Sequence, residues 1–368
     1  MQTLSLLGIG RFNRMQHSML ESQIQCVVFV VPLGGSGPHT GHETLFRDLA
    51  LFTDVIEIRP KRNLFSRLLG KSIGLLKRYG HRDQSCTCAE LFFDLARRKS
   101  NSIGHLSSVE AHFPYLHSKS RRDPRLCGTI HFPLHMSQEA NRVTLQRLGA
   151  AICFWTRDFE RFEKYVGKGR IHFIHHGVDA EFFAPAPEPA PAAPPRVLVA
   201  GQFLRNFEML QRVVRRLIEL QPQLEYDFLI PEWARKREGL SELFQFPQIH
   251  WHAGLSEVQL RDRYRQSYIH LLPMKDSGAN NAIVESLACG LPVITTDVGG
   301  IRDYGGGSTY PIVANDDDDA MIGLVEQYLS RPDWRNEIGA SCRRFAEENL
   351  AWPLIAQRHF RVFQELAA

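Results

Sequence analysis

The chain reads as an α/β protein of two domains, each a parallel sheet wrapped in helices. Three observations carry this. At 368 residues it is long for one core, and two domains are the natural expectation. Short apolar runs bounded by turn residues alternate with stretches of helical periodicity, the signature of strands buried on both faces of a parallel sheet. A Pro/Ala-rich stretch, 185–195 (PAPEPAPAAPP), has the composition of a stiff, extended linker. The predicted division is residues 1–184, a linker over 185–195, and residues 196–352.

Apolar residues make up 43% and charged residues 23%, ordinary values for a globular chain. The seven cysteines form no CxxC pair, and Cys86 and Cys88 stand too close together for a zinc site. The expectation is no metal and reduced thiols in a cytoplasmic protein. No run approaches the ~20 apolar residues of a membrane span, and no secretory signal is evident at the start. Charge is uneven. Residues 1–180 hold 25 Lys/Arg against 15 Asp/Glu, and the remainder 19 against 25. A net +10 beside a net −6 points the first half towards an anionic partner.

In chain order, residues 1–25 are hard to read. Residues 26–32 (CVVFVVP) form a buried strand that opens into a glycine-rich turn over 33–42, followed by a helix from Glu43 to about Leu51. Such a turn cradles phosphate or sugar. It is neither GxGxxG, because Thr40 takes the last glycine position, nor a GK[ST] loop. Residues 59–82 (RPKRNLFSRLLGKSIGLLKRYGHR) contain no acid. Leucines at helical spacing make this either a basic amphipathic helix for an anionic membrane surface or a solvated basic face over a core stripe. No nucleic-acid motif accompanies the charge. Val109–His112 and Gly128–Phe132 read as strand ends that finish at His112 and His131, where an open α/β sheet faces its ligand. Ala150–Thr156 is a further strand. In the second half, strands are expected at Arg196–Gly201, Tyr226–Ile230, Ile249–His252 and Tyr268–Pro273, with a helix to about Leu220.

The most informative stretch is 271–303, LLPMKDSGANNAIVESLACGLPVITTDVGGIRD. It reads strand, turn, helix over Asn280–Cys289, and a second strand over Leu291–Thr296. The turn Asp276–Ala279 opens the helix, whose N-terminus offers unpaired N–H groups to a phosphate. Gly278 and Ala279 let a ligand approach the backbone. Glu285 is placed to accept bonds from a sugar's paired hydroxyls; an ordinary solvated glutamate is the alternative.

These residues resemble the donor-binding motif of retaining glycosyltransferases with the GT-B fold. Glu285-Ser-Leu-Ala-Cys-Gly-Leu-Pro-Val293 and Thr296-Asp-Val-Gly-Gly300 fit closely. The family's first glutamate, eight positions earlier, is replaced by Ser277, with Asp276 beside it. The resemblance implies two doubly wound Rossmann-like domains facing a cleft. It implies ribose binding by Glu285, donor-sugar contacts at Asp276 or Ser277, and phosphate contacts from Gly278, Ala279, Asn280 and Asn281. GTIHFP resembles the family segment whose histidine, here His131, lies between donor and acceptor. Gly41 matches one glycine of the pair over the diphosphate. His176 replaces the asparagine of the interdomain Asn-Gly-Val-Asp signature. The family's Gly-Arg and Lys after the first strand of the second domain are Gln202 and Phe207 here, leaving Arg205 as the nearby cation. The last helix, 353–368, is expected to return to the first domain.

The implied activity is hexosyl transfer from a UDP-, GDP- or ADP-sugar to a glycan, lipid or small-molecule acceptor, with retention and no cofactor. The alternatives are a nucleotide-sugar epimerase or hydrolase of the same fold and a non-catalytic sugar-nucleotide-binding protein. The expected location is cytoplasmic, peripheral on the membrane face if residues 59–82 meet lipid. Nucleic acid is not an expected partner.

Overall fold

The computed structural model describes residues 9–12, 24–31, 37–77, 84–98, 101–111, 113, 116, 121–187, 194–237 and 239–368. The chain divides into two compact units: residues 1–175 with 352–368, and residues 176–351.

The first unit is built on a seven-stranded sheet of order β1-β3-β2-β4-β5-β6-β7. Its strands are β1 (Ile9–Phe12), β2 (Gln25–Phe29), β3 (Asp54–Ile58), β4 (Ser102–Leu106), β5 (Asp123–Ile130), β6 (Leu148–Cys153) and β7 (Ile171–Phe173). All neighbours are parallel except β1, which lies antiparallel against β3 at the edge. Alternation decides the two faces. Cys26, Val28 and Val30 join Leu45, Phe46 and Leu49 of helix α1 (Thr44–Leu49) and Trp352, Ile355 and Phe363 of the C-terminal helix, Trp352–Ala367. Phe29 turns the other way, edge-on to Phe93 and Phe113 at 5.8 and 5.4 Å.

Two expectations need correction here. Val109–His112 is not a strand end: β4 stops at Leu106. Beyond it Ser107 Oγ accepts from Val31 N, and Ser108 and Glu110 bond to one another, so the polar side chains turn the chain locally instead of extending the ladder. His112 lies outside the described residues. The domain boundary falls at 175/176, not at 185–195. Val178 N donates to Leu350 O at 2.8 Å and Phe183 is buried in the second unit's core, so residues 176–184 belong with that unit. Composition marks the stiff segment, but packing sets the boundary. Of the predicted linker, 188–193 lie outside the described residues.

The second unit holds a six-stranded, wholly parallel sheet of order β10-β9-β8-β11-β12-β13. The strands are β8 (Arg196–Ala200), β9 (Glu225–Leu229), β10 (Ile249–His252), β11 (Ile269–Leu272), β12 (Val293–Thr296) and β13 (Ile312–Val313). Val197, Val199 and Leu271 pack on one face with the helices Phe207–Leu220 and Asp318–Ser330. Leu198, Ala200 and Leu272 pack on the other with Tyr264, Ile283 and Leu287. This is a doubly wound sheet whose strand order reverses between β8 and β11, the point beyond which such sheets bind ligands.

Candidate functional site

Two loops leave the sheet at that reversal. The one after β8 opens at Gly201, with φ +79°, where an added Cβ would lie 2.5 Å from Arg205 Nη2. The positive φ is what favours glycine here. Arg205 then folds back across the gap. Its Nε donates to Ala200 O (3.0 Å), its Nη1 to Phe203 O (2.9 Å) and Met274 Sδ (3.0 Å), and its Nη2 reaches Asn280 Oδ1 (3.4 Å). Every one of these partners is neutral. Burial of the guanidinium pulls its pKa down to about 10. Among the described residues this half-buried cation has no carboxylate partner.

Asn280 lies on the other side of the gap. It caps the helix Asn281–Ala288, its Oδ1 accepting from Ala282 N at 3.1 Å. Arg205 and this helix N-terminus therefore share one oxygen, which brings the cation and the start of the helix together. The loop leading there is clamped. Gly300 N donates to Ser277 O (2.7 Å), and a Cβ at Gly299 (φ +52°) would fall 2.0 Å from that oxygen. Asp276 Oδ1 accepts from Ser277 N (2.8 Å). Ser277 is buried and its hydroxyl donates to Gly278 O (3.2 Å). Gly278 is buried; Ala279, Asn280 and Asn281 are half-buried.

Glu285 is buried, about one turn into the same helix. Tyr264 donates its hydroxyl to Glu285 Oε2 at 2.8 Å. Burial pushes the carboxyl up to about 8, against the opposing hydrogen bond from Tyr264, so the side chain carries a proton at neutral pH. His270, also buried, is held by Ser286 Oγ (2.7 Å) and pulled down to about 3 by burial and by Arg205.

In the first unit His131 follows β5. Its Nε2 meets Ser107 O at 2.7 Å. A carbonyl only accepts, so Nε2 carries the proton and Nδ1 keeps its lone pair. Burial depresses the pKa, which Glu110 partly offsets. Glu110 Oε1 accepts from the backbone N–H of His131 (2.6 Å) and Phe132 (2.9 Å), pinning the loop. His42 stacks edge-on to His131 at 5.1 Å, and Gly41 precedes it at φ +83°. The structure thus gathers Arg205, Asp276, Ser277, Gly278, Ala279, Asn280 and Asn281 at the second unit's strand ends, with Glu285 buried behind them. It places Gly41 and His131 together in the first unit. Sequence reading missed Tyr264 and Glu110. Tyr264 is the lone aromatic of the charged helix Glu257–Gln266 (EVQLRDRYRQ), which was the available signal.

Residues 194–331 match the family model described as glycosyl transferases group 1. That stretch lies within the second unit. The chain is 22% identical over 206 residues to the MMP alpha-(1->4)-mannosyltransferase of Mycolicibacterium hassiacum, covering 55% of this chain and 50% of that one. It is 24% identical over 193 residues to the D-inositol 3-phosphate glycosyltransferase of Streptosporangium roseum, covering 47% and 44%. The chain thus spans about half the length of these curated relatives. Among solved structures, sucrose-phosphate synthase from Thermosynechococcus elongatus superposes over 93% of this chain and 99% of its own, with TM-score 0.72 and 16% identity. HepE of Anabaena, in complex with UDP and glucose, superposes over 93% and 100% with TM-score 0.70 and 12% identity. The fold is therefore GT-B, as the resemblance implied. Among the described residues no helix is long and apolar enough to cross a membrane, and no group of three or more His, Cys, Asp and Glu is placed to hold a metal ion.

Proposed function

We propose that the protein transfers a hexosyl group from a nucleotide-diphosphate sugar to an acceptor with retention of anomeric configuration. The supporting observation is Arg205: a desolvated guanidinium with only neutral partners, set against the N-terminus of Asn281–Ala288 at the β8/β11 reversal. In this reading the donor diphosphate accepts from Arg205 and from the N–H groups of Gly278, Ala279, Asn280 and Asn281. As the glycosyl bond breaks, negative charge grows on the leaving diphosphate, and these donors stabilise it without a metal or cofactor. Glu285, protonated at neutral pH, holds a ribose hydroxyl while Tyr264 fixes its orientation. Asp276 faces the donor sugar. His131 Nδ1 accepts from an acceptor hydroxyl, and Gly41 lets the first unit's loop come close to a ligand. The acceptor is a glycan, lipid or small molecule, and the basic segment that includes Arg62, Arg67 and Lys71 meets an anionic surface.

Calorimetric titration with UDP-, GDP- and ADP-sugars tests the donor half. One of the three should bind with micromolar affinity, and absence of heat with all of them defeats the proposal. Proton NMR of the product reports the anomer. One observation supports a second reading, a non-catalytic sugar-nucleotide binder: Ser277, in place of the family's first glutamate, spends its hydroxyl on Gly278 O. Binding without turnover under any acceptor would favour it.

A further inference from the structure

We infer that helix α2 (Leu64–Lys77) is a docking surface for an anionic lipid bilayer, with Leu64, Phe65 and Leu68 entering the acyl boundary and Arg62, Arg67 and Lys71 at the headgroups. The inference deepens the anionic-surface reading of residues 59–82 and is independent of the donor reading, because none of these residues belongs to the strand-end sites.

The helix is seated the reverse of the usual way. An amphipathic helix on a globular domain turns its large apolar side chains inward. Here the fully buried positions are small: Ser66 and Gly70 are buried, with Leu69 and Ile73 half-buried beside them, and a Cβ at Gly70 would fall 1.8 Å from Gln84 O, at the start of helix α3 (Gln84–Ala96). Close backbone approach thus fixes the helix as a rigid platform. Three large apolar side chains face solvent, with Leu64 73%, Phe65 57% and Leu68 56% exposed. Leu64 and Leu68 are four apart, and Phe65 lies beside them, so the three form one patch.

The cations complete the surface. Arg62, Arg67 and Lys71 are exposed, and none has a carboxylate partner among the described residues. No acid occurs from 59 to 82. Arg59, by contrast, is spoken for by Glu43 and Glu57. A nucleic acid would neutralise the cations and leave two leucines and a phenylalanine in water. An anionic bilayer satisfies both, since apolar tips reach acyl chains while Arg and Lys stems snorkel to phosphate.

The test is flotation of the full chain with phosphatidylcholine vesicles, with and without about 30 mol% phosphatidylglycerol. The expected result is co-flotation only with the anionic vesicles. The triple variant Leu64→Ser, Phe65→Ser, Leu68→Ser should lose at least ~10-fold in partitioning, with circular dichroism unchanged. Arg62→Ser, Arg67→Ser, Lys71→Ser should lose as much. A separate Phe65→Trp variant reads insertion in the folded protein: relative to the parent chain, its added emission should shift to the blue on anionic vesicles and be quenched by brominated acyl chains. No flotation, flotation that survives the apolar triple variant, a tryptophan that stays in water, or tight binding to RNA in place of vesicles would each overturn the inference.

Discussion

The two units place chemically opposite groups at corresponding strand ends. In the second unit, a guanidinium sits with neutral partners beside a helix N-terminus, and the nearby carboxyl is protonated. In the first, imidazoles gather: His42 lies 5.1 Å from His131 and 6.0 Å from His359, which in turn is 6.0 Å from His105. All the resolved shifts among these run downward, because burial disfavours imidazolium. One end sets a cation among neutral partners, and the other gathers neutral imidazoles. The lesson is that a shared topology fixes where a site lies, while desolvation decides what it holds.

The largest test of this contrast is its pH dependence, which should have opposite sign in the two units. Glu285 binds its proton more tightly folded, about 8 against 4.5, so its contribution is present at low pH and is lost as pH rises from 4.5 towards 8. Replacing it by glutamine should relieve roughly 3–5 kcal/mol at pH 8 and nothing at pH 4. His359, pulled down to about 4, behaves in reverse: its contribution is full above pH 6.5 and is lost as pH falls towards 4. His359→Leu should therefore flatten an acid loss of about 3 kcal/mol. Hydrogen exchange of peptides from β4 and from Asn281–Ala288, read separately, resolves the two trends.

Next in size is Arg205→Met. Loss of a desolvated charge-assisted contact should weaken donor binding by roughly 2–3 kcal/mol, 30- to 150-fold in Kd by calorimetry, with little change in thermal stability. His131→Ala should sharpen the contrast from the other side, lowering kcat about 100-fold while donor Kd stays within twofold. Equal losses in kcat and donor affinity would place His131 in the donor site instead. The smallest effect is expected of Tyr264→Phe. It frees Glu285 Oε2 from its donor, raising donor Kd by about 1 kcal/mol or fivefold.

The sequence was most legible where function and local pattern coincide in one stretch. Leu271 to Asp303 carries its own strands, helix and cap, and β11, Asn281–Ala288 and β12 appear within a residue or two of expectation. It was least legible where a partner supplies the meaning. β3 (DVIEI) went unread because Glu57 interrupts the apolar run, and only its pairing with Arg59 makes that acid tolerable in a strand. The contacts of Arg205 to Met274 and Asn280 span 69 and 75 residues, beyond any periodicity.

Taken alone, the sequence determined the α/β class, the two-domain division in outline, the phosphate-suited turn at Asp276–Ala279 and the positions of Arg205, Glu285 and His131. The class, the division and the turn follow from apolar periodicity and capping, which act over a few neighbours, while Arg205 and the role of His131 came from the family resemblance. The tertiary structure decided the 175/176 boundary, the protonation of Glu285, the tautomer of His131 and the outward turn of Leu64, Phe65 and Leu68. Each depends on how much water a side chain loses and which distant group replaces it, and that is settled only when the chain packs.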